Sequence, residues 1–294
     1  MTHAAPVARL HGDIASFYDR TSGLWEQQWG EHMHHGFYGP AGNERKNHQQ
    51  AQVDLIEELL RFAGVQGARR VLDVGCGIGG SAIHLARRFG ASARGITLSP
   101  VQASRAERRA AELGLDDVRF EVGDAMQLPY GHESFDLVWS LEVGEHIADR
   151  PRFLAECARV LEPGGRLVVV AWCHRPVPPA LSTGDRRLLD LISRAYHLPP
   201  WSSLDAYRAA AESVGLEAVR TDDWSTAVSP FWPAVVRAAV RPRGLVGLAR
   251  AGWPAIRGAL TMGLMVLGSR RELIRYGVMT ARKPVGEIET RPAA

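Results

Sequence analysis

Short apolar runs of strand length alternate with helix-length segments through the middle of the chain. Five such runs, rich in Val, Leu, Ile and Phe, fit buried strands and stand at 71–74, 93–98, 118–122, 135–140 and 166–172. Helices are expected between them at 81–89, 99–113 and 152–161. This alternation predicts a doubly wound α/β fold, in which helices cover both faces of a mostly parallel sheet. Ligands of such sheets bind at the carboxyl ends of the strands.

The pattern differs on both sides of this core. Ahead of it, apolar residues on one face of 43–62 predict an amphipathic helix that ends before Gly64. Beyond it, we expect two helices, a sixth strand and a last strand, at 188–196, 204–214, 216–224 and 273–280. Three parts are therefore expected: an N-terminal helical lid segment, a core with substrate-binding insertions at about 174–214 and 225–272, and a loose tail, spanning 1–66, 67–284 and 285–294.

The loop after the first strand is rich in glycine. The sequence V-L-D-V-G-C-G-I-G-G-S, from Val71 to Ser81, places Gly75, Gly77 and Gly79 just before a helix. Glycine permits a sharp turn and a close approach of the backbone to a ligand. The helix N-terminus then offers unpaired N–H groups to an anion. The same letters also match G-x-G-x-x-G, so a dinucleotide is an alternative ligand at this stage.

Three further motifs follow the glycine loop in a recognisable order. They are Gly123-Asp124-Ala125, Ser134-Phe135-Asp136-Leu137-Val138 and Pro163-Gly164-Gly165. Together with the loop they resemble the class I methyltransferase core, which has seven strands and an antiparallel last strand. The resemblance implies S-adenosyl-L-methionine as the cofactor. It implies a cofactor site formed by Tyr18, Asp73, Gly75, Cys76, Gly77, Gly79, Thr97, Leu98, Gln102, Asp124, Ala125 and Leu141.

The roles of several of these residues have two interpretations. Methyltransferases of this class usually carry an acid for the ribose hydroxyls at the end of the second strand, and this chain has Thr97 there. Thr97 either bonds the ribose, with help from Gln102, or is an ordinary strand-end residue. Asp73 either faces the cofactor or bonds the N–H groups of the loop. Cys76 is interpreted as a small buried residue and not as a nucleophile.

Composition and charge narrow the class of protein. With 294 residues, 46% hydrophobic and 23% charged, the chain has the composition of a globular protein. Three separate cysteines favour a reducing compartment over a disulfide framework. The first residues lack a signal-peptide core, and no apolar run reaches 18 residues, so a cytoplasmic protein is expected. The net charge is +3, and ten Arg or Lys against one acid stand between Ser225 and Lys283.

The sequence favours a small-molecule methyl acceptor. Methyltransferases that act on nucleic-acid base amino groups tend to show Asn or Asp, Pro-Pro and an aromatic residue after the fourth strand. This chain has Ser140-Leu141-Glu142-Val143-Gly144-Glu145-His146 there instead. No separate nucleic-acid-binding module is visible in the sequence, and the N-terminal half is not basic.

Longer stretches resemble one particular family, the gamma-tocopherol methyltransferases, over about residues 13 to 284. The similarity includes the substrate insertions, where such families diverge. It lies in the runs Tyr18-Asp19, Leu24-Trp25-Glu26, Trp29 to Tyr38, Gly95 to Gln102, Gly144-Glu145-His146, Trp172-Cys173-His174-Arg175, Ala195 to Pro199, Pro230-Phe231-Trp232-Pro233 and Ile256 to Leu260. The resemblance implies methyl transfer to an aromatic ring carbon beside a phenol. Val143 departs from the small hydroxyl residue expected there in plant-like enzymes, which leaves the exact substrate open.

Such a reaction profits from a base near neutral pH, because a phenol has a pKa of roughly 10. We expect His146 to be this base, oriented by Glu145 or Glu142, with His174 as a further catalytic candidate. His146 could instead only cap the following segment. The expected substrate-binding residues are His34, His35, Trp172, Phe231 and Trp232. No metal is expected, because no Cys or carboxylate completes a set with the histidines at 32, 34 and 35.

The insertion at 225–272 has two interpretations. Its run from Gly258 to Gly268 could line a slot for an isoprenoid tail, and its arginines could contact anionic lipid at a membrane surface. Alternatively, it is a lid helix with a solvated basic face. Two other functions also stay open. One is N- or O-methylation of an alkaloid, sugar or other secondary metabolite, and the other is cofactor binding without turnover.

Overall fold

The computed structural model describes residues 12, 14, 16, 19, 30–234 and 253–285, with side chains for all of these except 253–260. One seven-stranded sheet in the order β3-β2-β1-β4-β5-β7-β6 runs through the described residues. Strands β1 to β5 are parallel, and β7 runs antiparallel to both β5 and β6. The strands are β1 Arg70–Val74, β2 Ser92–Thr97, β3 Val118–Val122, β4 Phe135–Leu141, β5 Leu161–His174, β6 Glu217–Asp223 and β7 Ile274–Arg282.

Helices cover both faces of this sheet. They are α1 His48–Ala63, α2 Gly80–Phe89, α3 Pro100–Glu112, α4 Arg150–Val160, α5 Thr183–Tyr196, α6 Leu204–Ser213, α7 Ser225–Val228 and α8 Trp253–Arg270. Because strand side chains alternate, Val71 packs in one apolar cluster with α1, α2 and α3, while Leu72 packs in the other with α4 and α6. This is the predicted doubly wound architecture, including its antiparallel last strand.

The predicted elements are present, with shifts at their ends. The helix predicted from 43 begins at His48, because the Asn47 side chain accepts a hydrogen bond from Gln50 N and caps it. The Pro163-Gly164-Gly165 turn does not precede the fifth strand as predicted. Instead β5 already begins at Leu161, and its pairing with β4 shifts register between Phe135 and Leu137. Strand boundaries at an irregular pairing are set by the neighbouring strand, which the local sequence does not show.

A third apolar cluster covers the sheet near the C-terminal ends of the strands. It joins α5, α8 and the start of β7 through Leu188, Ile192, Met265 and Ile274, with Phe231 and Trp232 between them. The predicted insertion is therefore packed on the core where the structure describes it. No helix in 30–234 or 253–285 has the length and hydropathy needed to cross a membrane.

The segment ahead of α1 is fastened along this helix. Gln52 is fully buried, and its Nε2 donates to the carbonyl oxygens of His32 and His34, both at 2.9 Å. Phe37 N donates to Ala51 O at 2.7 Å. Gly36 lies so close to α1 that a Cβ atom there would come within 2.5 Å of the Ala51 Cβ. These contacts place residues 32–37 at the C-terminal edge of the sheet.

Replacing Gln52 by Leu tests this fastening. The apolar side chain fills a similar volume but leaves two buried carbonyl groups unpaired, which should cost about 1–3 kcal/mol of unfolding free energy. Urea denaturation followed by circular dichroism measures the loss. Gln66→Leu, at an exposed loop position, is the matched control and should change stability by less than about 0.5 kcal/mol. Equal stability of the two variants would contradict the proposed fastening.

Candidate active site

A cavity opens where β1, β2, β4 and β5 end, beneath the segment at 31–35. Most of the residues predicted to bind a cofactor line it: Asp73, Gly75, Cys76, Gly77, Thr97, Leu98, Gln102, Asp124, Ala125 and Leu141. It also gathers the predicted acceptor and catalytic residues His34, His35, Glu142, Glu145, His146, Trp172, Phe231 and Trp232. Parallel strands end at one edge, so residues distant in sequence meet here.

The glycine loop has the shape of a ligand cradle. Gly75, Gly77 and Gly79 adopt positive φ angles of 80°, 53° and 85°, which favour glycine. The N–H groups of Gly75 and Cys76 both donate to Ile96 O, at 2.9 and 2.8 Å, so the loop is tied to β2. Among the described residues, a Cβ atom at Gly77 would meet only the Sδ of Met33, at 3.8 Å. The space beside Gly77 therefore belongs to the cavity and can receive a ligand.

Four polar residues stand around this cradle. Asp73 is buried and accepts a hydrogen bond from Ala82 N at 3.1 Å, as expected for a carboxylate that fixes the loop. Burial raises its pKa to about 7, although that hydrogen bond acts in the opposite direction. At the end of β2, the Thr97 hydroxyl donates to Gln102 Oε1 at 2.7 Å. These two residues thus form one polar unit at the place where the class resemblance predicts an acid. Asp124 accepts from Met126 N at 2.8 Å and lines the opposite wall.

The strongest polar contact in the acceptor half joins His35 to Glu142. Glu142 Oε2 lies 2.9 Å from His35 Nδ1, and Glu142 Oε1 accepts from the backbone N of His35 at 2.7 Å. The Tyr276 hydroxyl donates to the same Oε1 at 2.7 Å. Burial acts to raise the pKa of Glu142, but the charge and hydrogen bonds of His35 outweigh it and lower the pKa below its usual value. The carboxylate is therefore held in its charged form.

Backbone geometry supports a special role for Glu142. Its φ angle is 59°, in the left-handed region that non-glycine residues rarely adopt. Such a conformation costs of order 1–3 kcal/mol and is concentrated at functional sites. Here it turns the carboxylate of the residue after β4 toward His35, on the segment that precedes α1. The fold thus maintains a strained turn at the position where the acid and the imidazole meet.

Aromatic rings surround the His35 imidazole. Ring centroids lie at 3.8 Å for Phe231, 5.3 Å for Trp232 and 6.0 Å for Trp172. Phe231 and Trp232 are 6% and 7% exposed, so this wall is nearly closed to water. Because Nδ1 is engaged by Glu142, the other ring nitrogen, Nε2, is the one left for chemistry in the cavity. Trp172, Phe231 and Trp232, which are predicted to bind substrate, thus lie around His35, a further residue with this predicted role.

The Glu142 carboxylate is directed to His35 and Tyr276, and the predicted orientation of His146 by Glu145 or Glu142 stays a prediction. His146 lies in the short 3₁₀ turn Gly144–His146 and faces the cavity. Burial lowers the pKa of His146 to about 4, with a further contribution from His197, and so weakens it as a base. Glu145 is 6% exposed, and within the described part of the chain its Oε2 has no hydrogen-bond partner. Burial, followed by the nearby charge of Glu142, raises the pKa of Glu145 well above its ordinary value, which favours the uncharged acid.

Two further predicted residues lie away from the cavity lining. His174, at the end of β5, faces backbone oxygen instead, with its Nδ1 2.7 Å from Arg175 O. Gly79 supports the loop without lining the cavity: a Cβ atom there would come within 2.7 Å of Phe120 and 2.8 Å of Ala106. Its predicted position in the loop was correct, but close packing, not ligand contact, is what requires glycine. Tyr18 lies outside the described residues.

Tyr276 and Met33 are residues of this site that the sequence analysis did not predict. Tyr276 belongs to β7 and pairs with Trp172 in the antiparallel register, which brings its hydroxyl to Glu142. An antiparallel strand inserted from the end of the chain has a register that only the neighbouring strand defines. Met33 belongs to the H-M-H-H run, where the histidines drew attention as candidate ligands. Within the described residues, no group of three or more His, Cys, Asp or Glu could hold a metal ion.

Comparison with known proteins identifies the class. The family described as "Methyltransferase domain" matches residues 72–169, which run from β1 into β5. The crystal structure of the cyclase SpnF superimposes with a TM-score of 0.79 at 29% identity, covering 93% of this chain and 96% of that one. The fold and the cradle therefore define a class I methyltransferase that uses S-adenosyl-L-methionine. The open space at Gly77 and the polar groups of Asp73, Thr97 and Asp124 fit this cofactor.

Relatives of known name identify the family. "Tocopherol O-methyltransferase, chloroplastic" of Arabidopsis thaliana is 46% identical over 295 residues, covering 96% of this chain and 85% of that protein. "Probable tocopherol O-methyltransferase, chloroplastic" of Oryza sativa subsp. japonica is 50% identical, covering 94% and 79%. Norajmaline N-methyltransferase of Rauvolfia serpentina is 33% identical, covering 94% and 99%. The chain belongs to the tocopherol methyltransferase family.

Changing Gly77 to Ala tests the cradle without any need for turnover. The added methyl group enters the cavity, and an alanine at this left-handed backbone position costs about 1 kcal/mol. The affinity for S-adenosylhomocysteine should therefore fall at least about tenfold. Isothermal titration calorimetry measures it. Gly67→Ala is the control, because a Cβ atom there meets nothing within 4 Å. Unchanged affinity in the Gly77 variant would refute the assignment of this loop.

Replacing Glu145 by Gln tests the uncharged state of this acid. Folding raises the pKa of Glu145, so the folded protein still holds this proton at pH values above about 4.5, where the unfolded chain has released it. The stability of the wild type therefore falls as the pH rises above about 4.5. Glu145→Gln removes this contribution. The variant should therefore gain thermal stability relative to the wild type between pH 5 and about pH 8, in melts followed by circular dichroism. The exposed Glu212→Gln control should show no such trend.

Proposed function

We propose that this enzyme transfers the methyl group of S-adenosylmethionine to a ring carbon beside the hydroxyl of a tocopherol-like prenylated phenol. The named plant relatives support the substrate class, although their names specify O-methylation. The observation that carries the proposal is the His35–Glu142 pair, placed inside a dry aromatic wall. S-Adenosylmethionine supplies an electrophilic methyl group, so the protein has to activate and align the acceptor.

His35 is the proposed base in this reaction. Its Nε2 accepts the phenol proton, while Nδ1 remains bonded to the Glu142 carboxylate. The negative charge of Glu142 stabilises the imidazolium that forms, and the Tyr276 hydroxyl holds Glu142 in place. Loss of the proton pushes electron density from the oxygen into the ring and onto the adjacent carbons. General-base assistance of this kind contributes typically 10²–10⁴-fold to the rate.

The same contact favours carbon over oxygen as the methyl acceptor. After proton transfer, the phenolate oxygen lies opposite a protonated imidazole and accepts its hydrogen bond. The oxygen is thus held at the His35 side of the cavity, away from the cradle at Gly77. Phe231 and Trp232, which pack against the His35 imidazole, cover the phenol ring of the acceptor and exclude water. A ring carbon beside the oxygen then remains to face the methyl donor. As the new carbon–methyl bond forms and the donor's C–S bond breaks, this carbon releases its ring proton to solvent, and the oxygen takes its proton back from His35, which restores the phenol.

His146 and Glu145 have supporting places in this proposal. The lowered pKa of His146, about 4, makes it a weaker base than an ordinary imidazole. Glu145, in its uncharged form, is suited to donate a hydrogen bond to a polar group of a bound ligand. Asp73, Thr97, Gln102 and Asp124 are proposed to hold the cofactor around the glycine loop.

N-methylation of an amine is the second candidate function. The charged Glu142 among aromatic rings would also suit a cationic ligand, and one relative is a norajmaline N-methyltransferase. An assay with ¹³C-methyl-labelled S-adenosylmethionine separates the candidates. The acceptors would be a prenylated chromanol and an indole alkaloid amine, with the labelled product analysed by NMR. A label on a ring carbon supports the proposal, whereas a label found only on oxygen or nitrogen rejects it.

If His35 is the base, the loss of kcat on its replacement should depend on the pKa of the acceptor phenol. His35→Gln should lower kcat for an ordinary phenol roughly a hundredfold. An acceptor phenol whose pKa lies below the assay pH is already ionised, so the same variant should lose much less with it. Glu142→Gln should follow the same pattern. The exposed His132→Gln variant is the control, with wild-type kcat on both acceptors. Equal losses of His35→Gln on both phenols would contradict a role as base.

A further inference from the structure

A second pocket lies directly behind the aromatic wall of the acceptor site. His35, Trp172 and Trp232 line both cavities. The Trp172 and Trp232 rings contact each other edge to face, with centroids 5.9 Å apart. The two cavities are thus separated at this place by side chains of three different segments. Side chains can change rotamer far more readily than a strand or helix can move.

The far side of this second pocket is apolar. Val228 of α7, Met265 and Val266 of α8 and Ile274 of β7 form its walls. Val228, Met265 and Ile274 are also buried, at 5%, 0% and 6% exposure, so these walls are firmly part of the core. Such a surface favours a ligand that is itself apolar, because burying apolar area provides the free energy of binding.

Several polar side chains at this pocket are paired within the protein, whereas Arg275 Nε and Trp172 Nε1 are buried without a hydrogen-bond partner among the described residues. Arg275 faces two acids, Asp223 at 3.4 Å and Glu272 at 2.9 Å. The Ser225 hydroxyl donates to Asp223 and accepts from Tyr276 N at 2.8 Å. Arg270 is the cation that stays exposed at the edge of the lining. Because Asp223 and Glu272 both pair with Arg275, an anionic head group would meet two acids there, and the chemistry favours a hydrocarbon chain over a diphosphate.

We infer that this pocket receives the isoprenoid tail of the acceptor, while the phenol ring lies against His35 in the first cavity. This inference rests on the proposed function, since it names how the same acceptor is held. His35, Trp172 and Trp232 border both cavities, so a change of rotamer at these side chains would open the way from the ring to the tail. Of the expected tail slot at 258–268, Met265 and Val266 are the residues that line the pocket.

Two substitutions that fill the pocket test the inference. Val266→Phe and Ser269→Phe add bulk on the lining side of α8. Leu267→Phe, one residue away, is the matched control, because Leu267 is 38% exposed and lies outside the lining. The acceptors are a chromanol with a C16 isoprenoid tail and the same chromanol with a methyl group in its place. Both pocket variants should raise KM for the tailed acceptor at least tenfold and leave kcat/KM for the short acceptor within about twofold.

Measuring the binding of an isoprenoid ligand tests the pocket without any need for catalysis. A C20 isoprenoid alcohol should bind the wild type and Leu267→Phe equally, and both pocket variants at least tenfold more weakly, in isothermal titration calorimetry. Binding of the alcohol without methylation of either chromanol would reject the proposed function while the pocket assignment stands. Equal binding by all four proteins, or tighter binding of the isoprenoid diphosphate than of the alcohol, would overturn the tail assignment. If Ser269→Phe alone lost activity with both chromanols, that variant would be regarded as misfolded. The result for Val266→Phe would then decide the test.

Discussion

The site depends on one buried charge, the Glu142 carboxylate, and on the groups that hold it. A buried carboxylate is expensive unless it is paired and hydrogen-bonded. Three separate parts of the chain meet this requirement: the strained turn after β4, the His35 segment ahead of α1, and Tyr276 on β7. Because His35 and Tyr276 both bond to the carboxylate that the strained turn presents, the segment ahead of α1 and the last strand are positioned relative to β4 by a single group.

Much of this architecture follows from local pattern. The strands β1 to β5 lie where short apolar runs were predicted, and the glycine loop lies where Gly75, Gly77 and Gly79 predicted a ligand cradle. Both depend on physics that acts over a few residues: burial of apolar side chains, and the backbone freedom of glycine. For the same reason, Asp73, Thr97 and Asp124 could be assigned to the cavity, since each stands at the end of a parallel strand.

The partners within the site could not be predicted in the same way. Glu142, Glu145 and His146 are neighbours in sequence, which made them look like one catalytic unit. The turn after β4 instead directs Glu142 to His35, which lies 107 residues away, and leaves Glu145 without a charged partner in the described part of the chain. Tyr276 depends likewise on the register of an antiparallel strand. Such pairings are decided by packing in three dimensions, to which sequence proximity is a poor guide.

One contact links the two halves of the cavity. Val143 packs against the glycine loop so closely that a Cβ atom at Gly75 would come within 2.2 Å of its Cγ2. The same valine lines the cavity beside Glu142. Its methyl groups thus lie beside the loop proposed to hold the nucleoside and beside the acid proposed to act on the aromatic substrate. A change of side chain at this position is therefore expected to alter acceptor choice and donor affinity together.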